Sequence, residues 1–418
     1  MTDDNRQLRV EILIQQKKFA DAEKILKGLL SEDSGNIQYL SLLSEVYLQQ
    51  NKSDEAKSII DHAIGISPDS PILFYIRSRI SIQENDYNEA ESNIRQSIKL
   101  DPYDADYYAL LASIKLSRKQ FEEALELANK ALEIDAENLL GLNIRSTALI
   151  KLNKHEESFQ TIEGALREDP NNAYTHANYG WGLLEKGDHK KAMEHFRESL
   201  KNDPNSGYAQ SGMLEALKAT NPVYRLFLKY SFFMSNLTAK YQWGVIIGFY
   251  VVFRILKSVA ANNEALQPYL YPLLVALAVV AFSTWVLNPV SNLFLRFNTY
   301  GKLLLDKNEK TSSNFVAASM ATFAIGILLY FILGDDKFLS VVVFGFAMMP
   351  PFSLMFSPTK YKHAFLIYAA AMSLIGISAI VLTFSTGELF NMLSVIFIFG
   401  FVGFQWVANY LLIKEDNK

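Results

Sequence analysis

Residues 121–131 read Phe121-Glu-Glu-Ala124-Leu-Glu-Leu-Ala128-Asn-Lys-Ala131, and versions of this stretch recur every 34 residues through the first half of the chain. Stepping by 34 from Ala124 reaches a small residue in each copy, at Ala22, Ala56, Ala90, Ser158 and Ala192. Small residues at such positions let two antiparallel helices approach closely. The period therefore predicts a stack of two-helix units that bury their apolar faces against one another.

Prolines follow the same register, at Pro68, Pro102, Pro170 and Pro204. Because proline cannot continue a helix, each one sets the turn from one unit to the next. Over residues 3–220 the pattern resembles the tetratricopeptide repeat family. The resemblance implies an all-α solenoid of six repeats, with 208–218 as a capping first helix of a truncated seventh unit. The sequence departs from the family pattern at His176, which holds the position usually occupied by tryptophan.

The resemblance also implies protein binding on a concave face that is lined by the first helix of each unit. Arginine and asparagine on that face are suited to a peptide backbone or carboxylate, and aromatic residues to its side chains. The alternative is that two aromatic residues of that face, Tyr174 and Trp181, simply pack between units. The predicted face contains Tyr75, Arg79, Asn143, Tyr174, Asn178 and Trp181.

Charge and composition exclude several functions. Residues 1–220 carry a net charge of −10 and residues 221–418 a net charge of +6. An acidic arm does not suit nucleic acid, which requires a basic surface. The chain has no cysteine. His189 and His195 lie six residues apart rather than at the i, i+4 spacing of a helical metal site. We therefore predict no metal, no cofactor and no enzymatic activity.

Six apolar segments follow the repeats, each close to the roughly 20 residues that cross a bilayer. They predict a six-helix transmembrane domain over residues 241–413, with spans at 241–256, 269–287, 315–333, 338–356, 364–384 and 389–413. Asn288-Pro289 is expected to end the second span and Pro350-Pro351 to break or kink the fourth. The pair Gly244 and Gly248 indicates close helix packing.

The junction, residues 221–240, predicts an amphipathic helix lying in the membrane interface. Asn221 suits its N-cap and Pro222 its first position. A last solenoid helix is the alternative. A second interfacial segment is predicted at 293–310. The basic residues assigned to the interface are Arg225, Lys229, Lys240, Arg296 and Lys302.

Successive spans cross the membrane in opposite directions, so the segments that flank them fall alternately on its two sides. Eleven lysine and arginine residues lie in the segments of one side and three in those of the other. The excess predicts that both termini lie in the cytoplasm. As a whole the chain is similar to membrane-tethered tetratricopeptide proteins of bacteria, which implies a multi-pass protein of the inner membrane.

Two functions fit these features. The first is a membrane-anchored scaffold, whose partners would be cytoplasmic or membrane-associated proteins in the repeat groove and the lipid bilayer. The second is a transporter or channel-like component regulated by its repeat arm, favoured by the number of spans and by Pro350-Pro351. The sequence leaves homo-oligomerisation open.

Overall fold

The computed structural model describes residues 3–299, 301–357 and 363–416, and all regular secondary structure in these ranges is helical. Lys360, Lys362 and Lys418, which contribute to the charge asymmetry, lie outside the described residues. The chain divides into two compact units, Met1–Pro170 and Asn171–Lys418. The first unit consists of α1 (Asp3–Gln15), α2 (Phe19–Glu32), α3 (Ile37–Gln49), α4 (Ser53–Ile66), α5 (Pro71–Gln83), α6 (Tyr87–Leu100), α7 (Ala105–Ser117), α8 (Phe121–Ile134), α9 (Leu139–Lys151) and α10 (His155–Glu168).

These helices form five two-helix repeats, and the loop between the two helices has the same backbone conformation in every repeat. The residue that leads from the first helix towards the second has a left-handed backbone in every copy, with φ between 57° and 60° at Lys17, Asn51, Asn85, Lys119 and Asn153. This conformation costs a residue with a Cβ about 1–2 kcal/mol, least for asparagine. The recurrence of the same turn at intervals of 34 residues keeps the helices of each repeat in one register.

The small residues that define the period are buried, as predicted. Ala22, Ala56, Ala90 and Ala124 are fully buried. Ser158 takes the same position in the fifth repeat, and its hydroxyl donates to the Ser146 carbonyl oxygen at 2.9 Å. The hydroxyl is therefore tolerated because its hydrogen bond is made inside the repeat.

The second unit contains the sixth repeat and all the long apolar helices. Its helices are α11 (Ala173–Lys186), α12 (His189–Asn202), α13 (Gly207–Lys218), α14 (Pro222–Ser235), α15 (Ala239–Asn262), α16 (Gln267–Leu295), α17 (Gly301–Leu304), α18 (Lys307–Leu333), α19 (Phe338–Leu354), α20 (Ala364–Thr386) and α21 (Met392–Asp416). A 3-10 turn, Glu264–Leu266, precedes α16.

Five helices in the described ranges are long and apolar enough to cross a membrane, namely α15, α16 with its preceding turn, α18, α20 and α21. The prediction was six, so the count differs by one. The fourth predicted span corresponds to α19, which has 17 residues and ends at Leu354. At about 1.5 Å per residue it is about 25 Å long, at the short end of the helices that cross the ~30 Å hydrocarbon layer. The first span is longer than predicted, since α15 runs for 24 residues.

The prolines interrupt these helices less than expected. α16 continues through Pro289 to Leu295, so the prediction that Asn288-Pro289 ends it is wrong. α19 likewise includes both Pro350 and Pro351, so the helix is not broken there. Pro289 has no N–H for the Trp285 carbonyl oxygen four residues earlier. That oxygen instead accepts a hydrogen bond from the Ser353 hydroxyl of α19. The neighbouring helix thus satisfies the group that proline leaves unpaired.

We expect Ser353→Ala to destabilise the second unit by about 1–3 kcal/mol, because the Trp285 carbonyl would lose its replacement donor. The measurement is the thermal unfolding midpoint of the full chain in detergent. Ser283→Ala is the matched control, since the Ser283 hydroxyl is exposed and donates to a carbonyl of its own helix. An equal midpoint for the two variants would contradict this role of Ser353.

Glycine mediates close helix packing at other positions than predicted. A Cβ at Gly244 or Gly248 would meet no described residue within 4 Å, so these two glycines do not pack closely against another described helix of the chain. The close approach is between α18 and α19. A Cβ at Gly326 would lie 2.9 Å from the Val342 nitrogen, and one at Gly345 would lie 2.4 Å from the Phe323 nitrogen. These two glycines let the backbones of the two helices touch.

Candidate protein-binding surface

In the first unit, Tyr75 and Arg79 lie together on α5. The Arg79 guanidinium donates to both carboxylate oxygens of Glu45, with Nη1–Oε2 at 2.5 Å and Nη2–Oε1 at 2.9 Å. It also lies 5.7 Å from the centroid of the Tyr75 ring, which in turn contacts the Tyr107 ring at 5.4 Å. Burial raises the pKa of Tyr75, so its hydroxyl stays neutral. Arg79 is thus a half-exposed cation that is already held in place by a carboxylate.

The two predicted asparagines are buried. Asn143 is 2% exposed, and its side-chain amide donates to the Leu139 carbonyl oxygen at 2.8 Å. Asn178, in the second unit, is 6% exposed. Both therefore lie beneath the surface of their repeats, and a direct contact with a partner stays a prediction.

In the second unit the predicted aromatic residues belong to one cluster. Tyr174 and Trp181 of α11 both stack on Tyr208 of α13, with ring centroids 5.9 Å and 5.8 Å apart. The Trp181 indole N–H donates to the Tyr208 carbonyl oxygen at 3.2 Å. Tyr174 and Tyr208 are 50% and 43% exposed. The cluster thus packs successive first helices together, as the alternative predicts, and leaves two aromatic rings exposed at the surface. Contact of these rings with a partner stays a prediction.

Tyr208 was missed as a candidate, although it lies 34 residues after Tyr174 and the repeat period places it on the same face.

The aromatic cluster packs on a buried phenylalanine, Phe196. Gly180 and Gly212 leave room for this ring, since a Cβ at either position would come within 3 Å of it. The Phe196 ring meets Trp181 edge to face at 5.7 Å. These glycines therefore let a buried aromatic residue support the cluster.

Two histidines lie close to this cluster in sequence. The Nδ1 atoms of His176 and His195 are 3.1 Å apart. Burial, together with the neighbouring His176, lowers the pKa of His195 to about 4. Among the described residues there is no group of three or more histidine, aspartate or glutamate side chains arranged to hold a metal ion. His195 is thus a neutral residue of the repeat core at neutral pH.

The junction forms the predicted helix, α14, with two contrasting faces. The Asn221 side chain accepts hydrogen bonds from the Val223 and Tyr224 backbone N–H groups, and Pro222 is the first residue. Tyr224 and Leu228 are buried on the protein side. On the other side four apolar residues are exposed at helical spacing, Val223, Leu226, Tyr230 and Phe233. Such an arrangement is typical of a helix in a membrane interface.

The predicted interfacial cations differ in their surroundings. Lys229, Lys240 and Lys302 are exposed. Arg225 donates through Nε to the Ala219 carbonyl oxygen at 3.1 Å. Arg296 donates through Nη1 to the Asn314 side-chain oxygen at 2.7 Å and through Nη2 to the Lys310 carbonyl oxygen. The lysines are thus available to solvent or headgroups, whereas both arginines also donate hydrogen bonds to other segments of the chain.

The last repeat helix is attached to the apolar helices of the same unit. Leu214 of α13 packs against Leu295 and Leu305, which flank α17. The Lys218 ammonium donates to the Asn288 side-chain oxygen at 2.6 Å and to Glu215 Oε1 at 3.0 Å. The predicted interfacial segment 293–310 therefore contacts the end of the repeats.

Comparisons with known proteins match the repeat part of the chain. Two family models described as tetratricopeptide repeat match residues 13–80 and 81–144, and residues 173–206. These segments of the chain are tetratricopeptide repeats. None of the curated proteins matches the chain.

Several solved structures resemble the repeats. A thermophilic TPR protein of Thermus thermophilus, TTC0263, is 16% identical, with 44% of this chain and 99% of that one covered and a TM-score of 0.41. A tetratricopeptide repeat protein of Parabacteroides merdae is 16% identical, with 50% and 81% covered and a TM-score of 0.44. PilF of Pseudomonas aeruginosa is 15% identical, with 50% and 96% covered and a TM-score of 0.40.

Proposed function

We propose that the protein is a membrane-anchored scaffold that binds protein partners through the first helices of its repeats and has no enzymatic activity of its own. The observation that carries this proposal is that one chain contains tetratricopeptide repeats together with five helices long and apolar enough to span a bilayer. Repeat arrays of this kind offer extended binding surfaces built from successive units. The apolar helices would hold that surface at the membrane.

The charge distribution supports a cytoplasmic position for the repeats. When α19 is counted as a short sixth crossing, basic residues are concentrated on the flanks that share a side with the repeats. Such an excess marks the cytoplasmic side of bacterial inner-membrane proteins. α14 supports the same placement, because its exposed apolar stripe would lie in the interface while Lys229 reaches the headgroups. With α19 as a short sixth crossing, both termini would then be cytoplasmic.

Partner contact in the second unit is proposed at Tyr174, Trp181 and Tyr208. Exposed aromatic residues that are held by packing lose little conformational freedom on binding, and such residues often dominate interface energies. In the first unit, partner contact is proposed at Tyr75 and Arg79. A carboxylate of the partner would compete with Glu45 for the Arg79 guanidinium. Asn143 and Asn178 are buried, and we propose that they stabilise the first helices of their own repeats.

We expect the double substitution Tyr174→Ala, Tyr208→Ala to weaken partner capture at least about tenfold, since each anchor residue typically contributes 1 kcal/mol or more. The experiment uses cross-linking of the full chain in membranes washed with alkali, followed by mass spectrometry. Tyr103→Ala is the control, because Tyr103 is 82% exposed and lies in a turn of the first unit.

Two results would contradict the proposal. Loss of the chain from alkali-washed membranes would exclude anchoring. Capture of the same proteins by the wild type and the double variant would exclude the aromatic surface as the binding site. A partner that is lost in the double variant and kept by Tyr103→Ala would support both parts.

A further inference from the structure

A cavity of about 540 Å³ lies in the second unit, where α14 covers the ends of several apolar helices. Its walls come from α14, the C-terminal part of α16, the N-terminal turn of α18 and the C-terminal parts of α19 and α21. Cavities of 300–1,000 Å³ are typical of small-molecule sites. The cavity lies at the end of these helices that adjoins α14, so its occupant would be at the membrane interface.

One wall carries a buried polar group without a partner. Asn292 is 4% exposed, and its side-chain oxygen accepts no hydrogen bond from the described residues. An unsatisfied acceptor in the interior costs about 1–3 kcal/mol, so such groups are uncommon in native structures. Asn292 therefore points to a ligand that carries a hydrogen-bond donor.

Among the described residues that line the cavity, the charged ones are Asp306 and Glu309, and both are acidic. The two residues form the capping box of α18, in which Asp306 Oδ1 accepts from the Glu309 N–H at 2.6 Å and Glu309 Oε2 accepts from the Asp306 N–H at 2.9 Å. Neither carboxylate forms a salt bridge with a described residue. Each has a second oxygen that takes no part in the hydrogen bonds of the capping box. The cavity therefore favours a cation over an anion.

The remaining walls suit an organic cation better than a metal ion. Phe227, Tyr230 and Trp285 line the cavity, and aromatic faces attract ammonium groups. Leu354 and Leu412 add apolar surface for the rest of a molecule. No described group of acidic or histidine side chains is arranged to ligate a metal.

We propose that this cavity binds a ligand with a primary ammonium group. A primary ammonium supplies N–H donors for Asn292 and a charge for Asp306 and Glu309, whereas a quaternary ammonium supplies the charge but no donor. Two sources present this group, namely the ethanolamine headgroup of a phospholipid and a free amine. The inference does not depend on partner binding by the repeats.

The test is a titration of the delipidated full chain in detergent, followed by tryptophan fluorescence, with Trp285→Phe used to assign the response. The probes are short-chain phosphatidylethanolamine, short-chain phosphatidylcholine and free ethanolamine. We expect phosphatidylethanolamine to bind at least about tenfold more tightly than phosphatidylcholine, because each hydrogen bond to a charged group contributes about 1.5–3 kcal/mol. A response to free ethanolamine at similar concentrations would assign the site to a soluble amine.

Two variants test the residues while preserving the fold. Asp306→Asn with Glu309→Gln removes both negative charges and keeps two side chains that can form the capping box of α18. Asn292→Leu removes the unpaired oxygen. Each should weaken binding at least about tenfold. The control is Glu264→Gln with Asp336→Asn, two exposed acidic residues outside the cavity. Equal binding of the two phospholipids with no response to ethanolamine, or unchanged binding in the charge-removing variant, would overturn the proposal.

Discussion

Gly345→Ala is expected to destabilise the second unit by about 3 kcal/mol or more, at the upper end of the cost of overpacking. The added Cβ would lie 2.4 Å from the Phe323 nitrogen and 2.9 Å from the Ser319 carbonyl oxygen. Both atoms belong to the backbone of α18, so no side-chain rotation relieves the clash and the two helices must move apart. Their separation would also strain the bond from the Ser319 hydroxyl to the Gly345 carbonyl oxygen, which is 2.7 Å long.

Thermal unfolding of the full chain in detergent measures this effect. Gly244→Ala is the matched control, because it adds the same methyl group to another apolar helix where nothing lies within 4 Å. Alanine also has the higher helix propensity, so the control should unfold at the same temperature or slightly above the wild type. Similar midpoints for the two variants would mean that α18 and α19 are not packed as closely as described.

Glu215→Leu is expected to cost about 3–5 kcal/mol, the usual penalty for removing one member of a buried ion pair. Glu215 accepts from the Lys218 ammonium at 3.0 Å and from the Tyr224 hydroxyl at 2.8 Å. The Lys218 side chain is 1% exposed. Without Glu215 it would be a buried cation that donates to the neutral Asn288 side-chain oxygen. Burial and the adjacent Glu215 raise the pKa of Tyr224, which keeps its hydroxyl protonated as a donor.

A double-mutant cycle separates the ion pair from other effects of the substitution. Adding Lys218→Met to Glu215→Leu removes the orphaned charge, so the double variant should be more stable than Glu215→Leu alone. Glu198→Leu is the control, because Glu198 and Lys201 have the same spacing on α12 but are both exposed. That variant should cost less than about 1 kcal/mol. A double variant less stable than Glu215→Leu would show that Lys218 does not depend on Glu215.

Much of the fold follows from spacing that is visible in the sequence. The 34-residue interval between small residues such as Ala90 and Ala124 requires two helices per unit, and both residues are fully buried. The Asn221-Pro222 pair has the local chemistry of a helix start, and α14 begins there. These features were predictable because caps, turns and helix periodicity depend on residues close together in the chain.

Other features depended on neighbours that are distant in sequence. Pro289 is a helix breaker by local rules, yet α16 continues because Ser353 supplies a donor from another helix. Gly244 and Gly248 have the spacing of a packing motif, but a Cβ at either would meet no described residue within 4 Å, whereas Gly326 and Gly345 contact a backbone. Asn143 was assigned to a surface and is buried, because the repeat period gives the face of a helix only approximately.

The sequence alone determined the class of this protein: a helical repeat array followed by helices apolar enough for a bilayer. Periodicity and hydropathy are local properties, and each is repeated often enough along the chain to outweigh individual exceptions. Only the tertiary structure decided which glycines allow close packing, that Lys218 is buried beside Asn288, and that Asn292, Asp306 and Glu309 line one cavity. Those relations join residues up to 70 positions apart, as in the Lys218–Asn288 bond, and no local pattern encodes them.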